Sequence, residues 1–120
     1  MWKYNGELGG TSGESKRLES IQIKVNGLPN GSNIVYRAHV QDYGWQGNRL
    51  NGQMSGTVNK AKRVEAIKIS LDNVPEDMKI SYQTHIEGYG WGKWSGNGEI
   101  SGTVGEEKRL EAIEIKIVKG

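Results

Sequence analysis

Residues Ile34 to Gln41 alternate without a break, so Ile34, Tyr36, Ala38 and Val40 share one face of an extended strand while Arg37, His39 and Gln41 share the other. Ile80 to Glu87 repeats this pattern. A second alternating run, Val64 to Leu71, carries Ile67, Ile69 and Leu71 on one face and has an earlier counterpart in Ile21, Ile23 and Val25. Val64 and Ile67 cannot lie on one face of a regular strand, so the pattern predicts a bulge or corner at Glu65-Ala66. A middle segment, Asn51 to Thr57, follows an Asn-Gly turn signal. Helix is nearly absent from this pattern, and the predicted fold class is all-β.

The same elements recur at a fixed interval. Tyr43-Gly44-Trp45 returns as Tyr89-Gly90-Trp91, an offset of 89 − 43 = 46. Ser55-Gly56-Thr57-Val58 returns as Ser101-Gly102-Thr103-Val104, and Lys62-Arg63-Val64-Glu65-Ala66-Ile67 as Lys108-Arg109-Leu110-Glu111-Ala112-Ile113. Asn5-Gly6, Gly10-Thr11 and Lys16-Arg17-Leu18-Glu19 lie two periods before their partners in the last copy. The predicted organisation is one repeat domain over 1–120, with a partial unit 1–27 and full units 28–73 and 74–119. Each full unit reads as a head strand, a middle strand and a tail strand. The partial unit has no head, which leaves three readings: a cut from a longer protein, a strand supplied by a neighbouring molecule, or closure without it. Three β units predict pseudo-threefold closure, which removes exposed edges. Three strands per unit favour a β-prism-like arrangement over the alternative, a β-trefoil, which usually has four.

Composition narrows the function more than the fold. Eighteen glycines, two prolines, no Phe and a mean hydropathy of -0.68 describe a lean core joined by tight turns, with Trp and Tyr as the aromatic bulk. The 16 basic and 14 acidic residues are interleaved, not gathered into a basic stripe, so a nucleic-acid partner is not expected. No apolar stretch approaches the ~20 residues that span a bilayer, so no membrane insertion is expected. Met1 is followed by no apolar signal region, so an export signal would lie outside this sequence. Without Cys there is neither disulfide nor thiolate chemistry.

The string Ala38-His39-Val40, Tyr43-Gly44-Trp45-Gln46, Asn51-Gly52, Gly56-Thr57 and Arg63-Val64-Glu65-Ala66-Ile67-Lys68-Ile69 resembles the clostridial hydrophobic repeat with its signature Gly-Trp, the ChW repeat. The last unit matches through His85, Gly90-Trp91, Gly98, Gly102-Thr103-Val104-Gly105 and Arg109-Leu110-Glu111-Ala112-Ile113, and the first through its tail alone. This resemblance implies a secreted or cell-surface protein of a Gram-positive bacterium, with units often in threes and a binding role. It carries over no catalytic residue. Leu110-Glu111-Ala112-Ile113-Glu114-Ile115 is also similar to the last strands of jacalin-type lectins, which fits the prism.

Candidate ligand-binding residues are Trp2, Tyr4, His39, Tyr43, Trp45, His85, Tyr89, Trp91 and Trp94. Flat aromatic rings beside a glycine suit stacking on sugar C–H faces. For Trp45 and Trp91, however, the repeated register in a core without Phe makes packing the stronger reading. Trp2 and Trp94 align with Asn48 in the middle unit, which places that position at the surface, with Tyr4 beside Trp2. His39 and His85 are expected to be solvated or to make structural hydrogen bonds. They are poor metal-ligand candidates, at one per unit without a repeated carboxylate at ligand spacing. The pairs Arg17/Glu19, Arg63/Glu65 and Arg109/Glu111 read as structural bridges at the predicted corner.

No nucleophile, acid/base pair or phosphate loop stands apart from the repeat, so neither an enzyme nor a cofactor is expected. The leading expectation is a non-catalytic extracellular module that binds carbohydrate or another cell-surface macromolecule at several repeated sites. The alternative is a protein-interaction or adhesion module, self-associating through the incomplete first unit.

Overall fold

The computed structural model describes residues 7–10, 18–25, 28–57 and 60–119, and those residues form strands and turns without helix. In chain order the strands are β1 (Glu7–Gly10), β2 (Ser20–Gln22), β3 (Asn33–Val40), β4 (Gly44–Trp45), β5 (Arg49–Leu50), β6 (Met54–Gly56), β7 (Val64–Asp72), β8 (Met78–Ile86), β9 (Gly90–Trp91), β10 (Ile100–Gly102) and β11 (Leu110–Lys119). The heads are β3 and β8, the middles β1, β6 and β10, and the tails β2, β7 and β11. Both heads alternate buried and part-exposed residues, as their sequence predicts.

Pairing runs between units as well as within them. Each head lies antiparallel to its own tail, β3 on β7 and β8 on β11. The other edge of each tail carries a middle strand from another unit: β6 on β2, β10 on β7 and β1 on β11. The last of these joins the end of the chain to its start, so three units close in a ring. Near its centre the Leu18 N–H donates to the Leu110 carbonyl, and the Val64 N–H donates to the Leu18 carbonyl.

The predicted bulge is present in both full units. The register shifts between Val40↔Val64 and His39↔Ala66, and again between Leu110 and Ala112. The extra residue is Glu65 or Glu111, and Val64, Ala66 and Ile67 on either side of Glu65 are all fully buried.

The strand count differs from the sequence reading. Gly44–Trp45 and Gly90–Trp91 fold back on the heads as short fourth strands, His39↔Trp45 and His85↔Trp91. Two residues are too few to show alternation, which is why the pattern missed them. Gly44 and Gly90 have φ of 76° and 83°, so the turn into each strand uses the left-handed region that glycine tolerates. Gly56 and Gly102 are needed for a different reason: a Cβ there would meet the Glu19 or Glu65 carbonyl oxygen at 2.5 Å.

The core is aliphatic with two tyrosines. Ile34, Ala38, Val40, Val64, Ile67, Ile69 and Leu110 are fully buried, together with Tyr36 and Tyr82. Each tyrosine hydroxyl sits in the seam between a tail and the next unit's middle. Tyr36 Oη accepts the Ile23 N–H at 3.1 Å and donates to the Gln53 carbonyl. Tyr82 Oη accepts the Ile69 N–H at 3.1 Å and donates to the Glu99 carbonyl. Both buried phenols are thus satisfied. Burial pushes the Tyr82 phenol up to about 12, with the Ile69 hydrogen bond opposing, and raises Tyr36 in the same direction.

Candidate functional site

The outward faces of the two head–tail sheets carry the same arrangement twice. In the middle unit the bulge turns the Glu65 carboxylate outward beneath His39, whose Nδ1 lies 3.1 Å from Glu65 Oε1. Arg63 Nε donates to the other carboxylate oxygen at 2.8 Å. The His39 ring stands edge-on to Trp45, centroids 5.2 Å apart at 81°. In the last unit His85 Nδ1 lies 3.0 Å from Glu111 Oε1, and Arg109 Nε donates to Glu111 Oε2 at 3.2 Å. His85 meets Trp91 edge-on at 5.3 Å and 83°. Both glutamates are buried, so each chain from Arg through Glu and His fixes its Trp from below.

One sequence expectation changes here and one is extended. Trp45 and Trp91 are outside the core, because Tyr36 and Tyr82 on the opposite strand face fill the space that packing indoles would take; Trp91 is 36% exposed. The Arg63–Glu65 and Arg109–Glu111 pairs are structural bridges as expected; their carboxylates are buried, and each also orients a histidine, which the sequence did not suggest. Tyr43 and Tyr89 are exposed on the turns before the Gly-Trp strands. Trp94 is 40% exposed, in keeping with a surface position. Trp2 and Tyr4, like Arg17, lie outside the described residues.

The two faces differ in what surrounds the indole. Lys68 Nζ lies 4.7 Å from the Trp45 ring centroid, and the Arg37 guanidinium carbon lies 5.6 Å from it. One period later these cations become Glu114 and Gln83, which hydrogen-bond each other at 2.8 Å. Trp94 has Lys116 Nζ at 4.4 Å from its ring centroid. The heads' outward residues were legible as a polar face. The role of Lys68, Lys116 and Glu114 was not, although their departure from the 46-residue repeat was a usable signal.

The turns differ as well. Asp42 accepts from Lys62 Nζ at 2.6 Å, and that hydrogen bond holds its carboxyl below the usual range. Gly88 replaces it, and both positions have positive φ, 68° and 78°. Lys108 stands instead 5.5 Å from the centre of the Tyr89 ring, whose hydroxyl donates to Glu106 at 2.6 Å.

An open groove of about 430 Å³ lies away from both Trp faces, between the end of β7 and the start of β8, lined by Leu71, Pro75, Met78, Ile80 and Asn97 among others. Among the described residues no group of three His, Asp or Glu could hold a metal ion.

No curated protein and no solved structure matches the chain. The family pattern described as Clostridial hydrophobic W, ChW, matches residues 1–27, 39–73 and 85–119. Each of the two later matches opens on the histidine of the Trp–His–Glu–Arg arrangement and runs through its Arg and Glu. Three matches spread over almost the whole length are a property of the chain and not of one segment: it belongs to the ChW family.

Proposed function

We propose that this chain is a non-catalytic, extracellular binding module that recognises carbohydrate on a polymer or cell surface, chiefly through the Trp91 face. The observation that carries this reading is the open indole of Trp91, held edge-on by His85, with no cation over its ring among the described residues. A rigid aromatic beside a glycine turn offers a flat surface to the C–H face of a sugar. Gln83 and Glu114 on the same sheet face offer hydrogen bonds to its hydroxyls. Trp45 repeats the site with cations around it, which suits an acidic sugar. Weak sites on one scaffold gain avidity on a repeating polymer, which gives the repetition a purpose. The place outside a Gram-positive cell is part of the proposal and rests on the family resemblance alone.

We further propose that the closure is β-prism-like, which fits the same reading. Two sheets run middle, tail, head, Gly-Trp strand, namely β10-β7-β3-β4 and β1-β11-β8-β9, and the third contains β6 and β2. Two sheets of this order and a third that begins with the same middle–tail pair, around one core, favour a prism. The short Gly-Trp strand, which would otherwise favour a trefoil, here extends two of the sheets.

An array of glycans and cell-wall polymers tests the proposal, with the wild type beside Trp91→Ala. Saturable binding that weakens at least about tenfold in Trp91→Ala, with the far-ultraviolet spectrum unchanged, is the expected result. An array without binding, or binding indifferent to Trp91, Trp45 and Trp94, overturns it.

A further inference from the structure

Three tails but only two heads are found among the described residues, and the consequence is visible at two places in the ring. The first is β2. The Glu19 carbonyl accepts from the Thr57 N–H at 2.9 Å and the Ile23 carbonyl from Gly52 at 2.7 Å, so these residues face β6. By strand alternation the backbone groups of Ser20, Gln22 and Lys24 face the other way. One and two periods later the same positions are Ala66, Lys68 and Ser70, paired with His39, Arg37 and Val35, and Ala112, Glu114 and Lys116, paired with His85, Gln83 and Ser81. Among the described residues no strand lies on that edge of β2.

The second place is the seam between β1 and β11. In the other two seams the ladder stops at Gln22↔Met54 and Ile100↔Lys68, because the next pair is bridged by the hydroxyl of Tyr36 or Tyr82. Where no head supplies a tyrosine, the ladder runs one pair further, to Glu7↔Ile115. The isoleucines bordering these two places keep some exposure, 7% and 3% for Ile21 and Ile23, 6% and 3% for Ile113 and Ile115. Ile67 and Ile69, on a tail that has its own head β3 alongside and the Tyr82 hydroxyl of the next head in its seam, have 0%.

We propose that the outer edge of β2 is a strand-acceptor site that takes, from another polypeptide, a head hairpin of this same repeat type. The occupant is identified by the two filled positions. It is an extended segment with apolar residues alternating around a tyrosine, then a small residue or threonine directly followed by a histidine, and a Gly-Trp turn back, as in Ile34 to Trp45. It adds main-chain bonds to Ser20, Gln22 and Lys24 by β-augmentation. Its tyrosine hydroxyl enters between the Ile115 N–H and the Glu7 carbonyl, restoring the bridged seam. An open edge is costly to leave exposed, and this occupant covers it in the geometry the fold already uses twice. The site is independent of the Trp91 face, so either proposal can fail alone.

The test adds a labelled synthetic peptide of residues 33–46 to the whole protein and follows amide signals by NMR. Saturable one-to-one binding, slowed exchange at the Ser20, Gln22 and Lys24 amides, and a shifted Ile115 amide are expected. A Tyr36→Phe peptide should bind about tenfold more weakly, having lost the bridging hydroxyl. Lys24→Pro, which removes one edge N–H, should weaken binding by a similar factor. If that variant does not fold, the wild-type exchange pattern decides alone. Absence of binding at millimolar peptide overturns the proposal, as do edge amides already protected in the free protein, whether by the chain itself or by a second copy. Binding that leaves those three amides unchanged overturns it too.

Discussion

The Trp45 and Trp91 faces are built on the same frame and finished differently. Each has a buried glutamate at a bulge, a histidine above it and an indole held edge-on. Around Trp45 two cations approach the ring; around Trp91 the same places hold a glutamine and a glutamate bonded to each other. The frame is therefore what the repeat preserves, and the rim is where the units part. A frame kept rigid with a variable rim is how one scaffold presents sites of different charge.

The largest effect should come from breaking the frame. Glu65→Ala leaves His39 and Arg63 facing a buried gap and should cost about 3 kcal/mol in chemical denaturation. Glu111→Ala should cost less, because Arg109 also pairs with Glu87 at 3.3 Å. Equal costs would mean that this second carboxylate contributes nothing.

Next come the tyrosines under each face. Tyr36→Phe and Tyr82→Phe should each cost about 2 kcal/mol, since each leaves a tail N–H and a middle carbonyl unpaired. The same groups predict alkaline unfolding. With its folded-state value raised to about 12 above an unfolded value near 10, Tyr82 contributes fully below pH ~10 and loses that contribution as pH rises through about 12. Circular dichroism across that window should fall less steeply for Tyr82→Phe than for the wild type.

Smaller still is the rim. Arg37→Gln with Lys68→Glu converts the Trp45 surround to that of Trp91 and should change stability by no more than about 1 kcal/mol. Iodide quenching of Trp45 should drop, because the cations that attract the anion are gone. Trp94→Ala should lie within about 0.5 kcal/mol of the wild type, as befits a surface ring touched by Lys116.

Most of the frame was legible in the chain. Strict alternation located both heads, and the misfit of Val64 with Ile67 located the bulge. What escaped the sequence was the allocation of aromatics. Tyr36 and Tyr82 lie on an apolar face and Trp45 and Trp91 at its end, and hydrophobicity alone ranks the indoles as the better core. The seam reverses that ranking, because it offers a donor and an acceptor that a phenol hydroxyl satisfies together and a Trp N–H cannot. The pairing of a tail with another unit's middle was equally invisible, since periodicity says which strands repeat and not which neighbours they choose. The rim was readable only as departures from the 46-residue period, and Lys68 against Glu114 is the clearest of them.

In the proposed binding mode a saccharide meets the Trp91 indole first and the half-buried Trp45 indole after it. Fluorine NMR of the protein labelled with 5-fluorotryptophan, titrated with a bacterial cell-wall polysaccharide, tests it most directly, each signal assigned by a single Trp→Phe substitution. The Trp91 signal should move earliest and furthest, with Trp45 following for an acidic polymer. Binding that leaves the Trp91 and Trp45 signals in place, or no binding to any such polymer, would contradict it.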